Sequence, residues 1–159
     1  MGAPAGLRDS DFFAWTQSQA RILRDAAQAR LNAPDGLDWE HLAEEIEALG
    51  SEKVDELYSR YLVLLCHLIK WRHQPRGRGG SWRGTIGEQR RRIARLLRKN
   101  PSLRPRRRSE FLDAYPDARE AAADESGLAL AAFPEDCPFT MEQAEDGSYW
   151  PNELYSDDA

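Results

Sequence analysis

Arginine crowds one stretch of this chain. Arg90, Arg91, Arg92, Arg95, Arg98 and Lys99 fall within ten consecutive positions, and Arg104, Arg106, Arg107 and Arg108 follow within the next nine. A guanidinium stays charged at any working pH. Its planar fork of N–H donors fits the paired oxygens of a phosphate or a carboxylate. The chemistry open to such a run is therefore to hold a polyanion. Just upstream, Arg76, Arg78 and Trp82 sit in a Gly-rich stretch, where an aromatic ring and two cations can stack on and grip a single strand of nucleic acid.

The charge is one-sided. From Lys70 to Arg108 there are fifteen basic residues and one acid, Glu88, in a chain whose formal net charge is −5. Either this block meets an outside polyanion, an acidic protein surface or a nucleic acid, or the protein answers it with its own acids. Glu44, Glu45, Glu47, Glu52, Asp55 and Glu56 form a stretch able to do the latter. No nucleic-acid-binding motif is present, and a sequence pI near 5.3 speaks against unselective DNA binding.

A second and weaker constellation is Glu44, Glu45 and His67. In a helical bundle, inward carboxylates and a histidine can hold a metal or move a proton. The spacing matches neither HExxH nor a repeated Glu-x-x-His pair, so no metal site or cofactor is expected. The plain reading keeps His67 as a hydrogen-bonded residue of the bundle interior and gives Glu44 an arginine partner. Residues 77–80, Gly-Arg-Gly-Gly, lack the strand and the GK[ST] ending of a phosphate loop. Ser81 has no evident base. Trp39, Trp71 and Trp82 read as core anchors.

The elements that must position these residues are helical throughout, with no period-two stretch. A first helix is expected from Asp9 or Ser10 to about Leu31. A second is expected from an Asp38 N-cap to a stop at Gly50, with Trp39, Leu42, Ile46 and Leu49 on its apolar face. A third, from Ser51 to His73, carries Val54, Leu57, Tyr58, Tyr61, Leu64, Leu65, Leu68 and Trp71 and forms the centre of the bundle. Thr85 and Glu88 have the spacing of a capping box opening the basic helix, which runs to Asn100. A fifth helix over 103–125 is expected to kink or split at Pro116 and to end at Gly127. A short one follows Thr140, capped by its pairing with Gln143.

Five segments in order are similar to one known family: DFFAWTQSQARILR, LDWEHLAEEIEALG, LLCHLIKWRHQP, SWRGTIGEQRRRIARLLRKNPSLRP and FPEDCPFT. Together they resemble domain-of-unknown-function family 29, over residues 9–140. The resemblance implies a small, all-helical bacterial protein and brings no activity, cofactor or catalytic residue. Pro116, Gly84 and Gly87 depart from its pattern.

The sequence thus predicts an all-α, single-domain bundle of about five helices over residues 1–150, with a loosely structured acidic C-terminal segment and a flexible tail at 151–159. The two cysteines, Cys66 and Cys137, make no disulfide framework, and no apolar run approaches a membrane span. The expected role is a non-enzymatic interaction or regulatory module in the bacterial cytoplasm, using residues 90–108. A homo-oligomer is left open. The alternative is a metal-dependent or acid–base enzyme around Glu44, Glu45 and His67.

Overall fold

The computed structural model describes residues 6–29, 34 and 36–151, and these residues contain helices and no strand. In chain order the helices are α1 (Leu7–Ser10), α2 (Phe12–Ala29), α3 (Trp39–His73), α4 (Gly80–Lys99), α5 (Arg107–Ser126) and α6 (Met141–Glu145). Short 3-10 turns at Pro75–Gly77, Pro101–Arg106 and Leu130–Ala132 join them. The chain divides into two compact units, residues 1–56 with 96–105, and residues 57–95 with 106–159.

In the first unit the chain turns sharply at Asp11, which separates α1 from α2 and caps the latter: Ala14 N–H donates to its Oδ1 at 2.9 Å. The cap expected at Asp9 or Ser10 therefore sits slightly later. The other Asp11 oxygen accepts the Ser102 N–H at 2.7 Å, and the amide oxygen of buried Asn100 accepts the Phe13 N–H at 3.2 Å. Asn100 donates from its amide nitrogen to the Leu96 carbonyl at 3.1 Å. This buried polar clamp is fully partnered, the condition under which buried polar groups hold a fold rather than weaken it.

α3 begins where expected, with Asp38 accepting the His41 N–H. It does not stop at Gly50: one helix of 35 residues runs straight through. The glycine is there for contact. A Cβ at Gly50 would stand 2.1 Å from Thr16 Oγ1, so its missing side chain lets α2 and α3 touch. Leu42 and Leu49, expected on the helix's apolar face, are 41% and 46% exposed. The side of α3 that packs is marked instead by buried Ala43 and Gly50.

In the second unit the remainder of α3 is the core. Leu57, Tyr61, Leu64, Leu65, Leu68 and Ile69 are fully buried, together with Ile86 and Ile93 of α4 and Ala114, Ala118 and Ala122 of α5. Each large apolar side chain contributes about 1.5–3 kcal/mol of burial before entropy. α4 starts at Gly80 rather than Thr85, whose hydroxyl donates to the Ser81 carbonyl inside the helix. α5 neither ends nor splits at Pro116. Residues on either side of the proline are held: the Tyr115 hydroxyl donates to Pro134 O at 2.6 Å and Arg119 Nε to Phe133 O at 3.0 Å. Gly127, with φ 71°, closes α5, and Thr140 and Gln143 form both halves of the capping box on α6. Pro151, expected in the tail, is buried, while residues 152–159 of that expectation lie outside the described ones.

Candidate functional site

The arginines of the basic stretch divide by direction. Arg90 turns inward: 7% exposed, it donates from Nε to Ala144 O and from Nη2 to Tyr149 O, both at 2.8 Å. Burial pulls its pKa down from the ordinary arginine value, and its Nη1 is buried with no hydrogen-bond partner. Arg107 pairs with Glu145 at 3.5 Å, and Glu145 also accepts the Tyr61 hydroxyl. Arg92 binds Glu88 one turn back on α4, with Nε 2.8 Å from Oε1. These three serve the second unit itself.

Arg91 and Arg95 do not. They are exposed, four residues apart on α4, and have no ion-pair partner among the described residues. Residues at that spacing share a helix face. Arg106 and Arg108, at the entry to α5, are exposed as well. In the first unit, Arg98, Lys99 and Arg104 are exposed. The acids expected to neutralise the block have other partners where partners are seen: Glu47 binds Arg24 at 2.6 Å and Glu56 binds Lys53 at 3.8 Å.

The loop before α4 is occupied. Arg78 donates from Nε to Trp71 O at 2.6 Å and lays its guanidinium 5.6 Å from the Trp71 ring centre. The Lys70 ammonium stands 4.8 Å from the ring of half-buried Trp82, and Gly77 lies so near that ring that a Cβ would fall 2.4 Å from its Cη2. Trp150 packs on Trp71, their centroids 4.8 Å apart, with Arg83 at 4.6 Å and Arg90 at 5.3 Å from its ring. Of Arg76, Arg78 and Trp82, expected to grip a strand from the loop, Trp82 lies inside α4, Arg78 is half-buried and Arg76 is exposed.

Glu44 and Glu45 are exposed on α3, and His67 lies about six turns further along the same helix. His67 is half-buried and donates through Nδ1 to Val63 O at 2.8 Å, within its own helix. Beside it, the buried Lys70 ammonium binds Glu125, and burial pushes the Cys66 thiol up to about 12. A thiol so disposed stays protonated, which suits packing rather than nucleophilic attack. Among the described residues no group of three or more His, Cys, Asp or Glu is arranged to hold a metal. No helix among them is long and apolar enough to cross a membrane.

Two cations that the sequence did not single out, Arg8 and Lys53, line one cavity with Lys99. Positions so far apart along the chain give no local signal; the fold alone brings them together.

Among the described residues the protein is all-helical, with Arg91 and Arg95 of α4 exposed. The chain belongs to the family described as Domain of unknown function DUF29, whose model matches residues 7–150. No curated protein matches it. Among solved structures it is similar to an α-helical protein of unknown function from Rhodospirillum rubrum, at 25% identity and a TM-score of 0.69, covering 89% of this chain and 90% of that one.

Proposed function

We propose that this protein is a non-enzymatic interaction module that uses the exposed arginines of α4 to dock on an acidic surface of another protein in the bacterial cytoplasm. The observation that carries the reading is the pair Arg91 and Arg95. Both are exposed on one helix face without an ion-pair partner among the described residues, while Arg90, Arg92 and Arg107 are engaged within the second unit. Outward guanidiniums next to inward ones are a surface kept free for carboxylates or phosphates.

A protein partner is favoured over nucleic acid by the state of the aromatic rings. Trp71, Trp82 and Trp150 are in contact with Arg78, Lys70, Arg83 and Arg90, which leaves them unsuited to stacking on bases. The exposure of Glu44 and Glu45 likewise offers the enzyme reading no buried carboxylate.

The test compares two probes, a polyglutamate peptide and a mixed-sequence RNA, titrated at graded salt against the protein and its Arg91→Glu/Arg95→Glu variant. The expected result is salt-sensitive binding of the peptide that the variant loses while its helix content is unchanged. Tighter binding of RNA, lost in the same variant, would move the partner to nucleic acid. Binding of neither at low salt would sink the polyanion reading.

A further inference from the structure

In the first unit, a cavity of about 380 Å³ is lined by Arg8, Asp9, Phe12, Lys53, Lys99 and Asn100. Its walls come from separate elements: α1 supplies Arg8 and Asp9, the start of α2 Phe12, α3 Lys53, and the end of α4 Lys99 with Asn100 after it. Three cations thus face one concavity against a single carboxylate. Like charges on one concavity repel, and other contacts hold the walls in place.

Those contacts are visible. Asp11 and Asn100 clamp the turn between α1 and α2 to the segment that follows α4, through Phe13 N–H, Ser102 N–H and the Ser102 hydroxyl. Asn100 has both ends of its amide engaged, one with Phe13 N–H and the other with Leu96 O, so it shapes the wall and is not itself a ligand group. The Lys53 ammonium sits 6.0 Å from the Phe12 ring centre and 3.8 Å from Glu56, one turn along its own helix. Arg8 rests its guanidinium 5.9 Å from the Trp15 ring. Lys99 is exposed.

We propose that this cavity is a binding site for a small phosphomonoester. Three cations and one acid line the cavity, and with Glu56 beside Lys53 also counted the surroundings stay net positive, which favours an anion. A phosphate's three oxygens accept from several donors at once, and Arg8, Lys53 and Lys99 are the cationic donors of the lining. Phe12 offers an apolar face to the rest of the molecule. The volume lies at the small end of the range for small-molecule sites, room for a phosphate with a compact organic group. Neither Arg91 nor Arg95 lines this cavity, and the proposal does not depend on their binding a partner.

Calorimetric titration with phenyl phosphate at low salt tests it. Saturable one-site binding is expected, weakened about tenfold or more by Arg8→Gln and by Lys53→Gln, each of which removes one charge-assisted hydrogen bond. Asp9→Asn is expected to tighten binding, since it deletes the one opposing charge. Circular dichroism checks that each variant is folded, and Lys99→Gln replaces any that is not. A parallel titration with a 5′-phosphorylated oligonucleotide separates the sources of the phosphate. Binding of phenyl phosphate alone assigns a free small molecule, and equal or tighter binding of the oligonucleotide assigns a strand end. No saturation with either ligand at millimolar concentration overturns the proposal, as does binding that the glutamine variants leave unchanged.

Discussion

Gly50 and Thr16 touch where α2 and α3 meet: the position of an added Cβ on Gly50 lies 2.1 Å from Thr16 Oγ1 and 3.1 Å from its Cβ. Gly50→Ala gains about 1 kcal/mol of helix propensity and loses more to overpacking. The expected net loss is about 1–3 kcal/mol, read from the urea midpoint. Thr16→Ala in the same chain removes the oxygen in the way and should recover part of that loss. A double variant no more stable than Gly50→Ala alone would place the clash elsewhere.

Arg90 ties α4 to the C-terminal segment through Ala144 O and Tyr149 O. Arg90→Met keeps the length of the side chain and removes both bonds. It should cost about 2–4 kcal/mol, at roughly 1.5–3 kcal/mol for a charged hydrogen bond less the relief of burying no charge. The loss should be local, with faster hydrogen exchange in residues 141–150. An unchanged exchange rate there would show that other contacts hold the segment.

Pro116 sits inside α5 with no N–H to give, and its residue is exposed. Pro116→Ala restores a donor for the Leu112 carbonyl and should raise stability by about 1–3 kcal/mol. A lower melting temperature in this variant would mean that α5 needs the bend a proline imposes.

His67 and His73 both titrate below the usual histidine value, chiefly because burial disfavours the charged ring; Lys70 adds to this at His67, and Arg72 at His73. A folded pKa below the unfolded one means that the unfolded chain binds more protons. Stability from this source is whole above the unfolded value of 6.5 and drains as pH falls through it. Urea unfolding at stepped pH should show this slope, and His67→Gln/His73→Gln should flatten it. An equal slope in the double variant would assign the loss to carboxylates.

Much of the fold was legible because local chemistry fixed it. Asp38 as a cap, Gly127 in the left-handed region and the Thr140–Gln143 box are each decided by residues a turn apart. The all-helical class followed from patterns of the same range, and the family from five segments that resemble it along the chain. What the sequence misread depended on distant partners. Gly50 is a helix stop or a contact point according to whether a Thr16 lies across from it. Pro116 lies inside an unbroken α5, and the Tyr115 and Arg119 that flank it are anchored to the distant segment at 133–134.

The candidate surface was only half legible for the same reason. Arg90 and Arg91 are identical to a reader of the sequence, yet one is buried on two carbonyls and the other faces water. Helical phase separates them, and phase is set by Ile86 and Ile93 docking into the core. The cavity around Arg8, Lys53 and Lys99 had no signature along the chain at all.

The pairing of Trp71 with Trp150, at 4.8 Å and an interplanar angle of 46°, gives the molecule an optical reporter of its own. Two indoles that close and that inclined couple their transitions, and coupled transitions split a circular dichroism band into a pair of opposite sign. The couplet is present only while the chain near Pro151 lies on α3. Its amplitude therefore tracks the docking of that terminal segment on α3 in unlabelled protein.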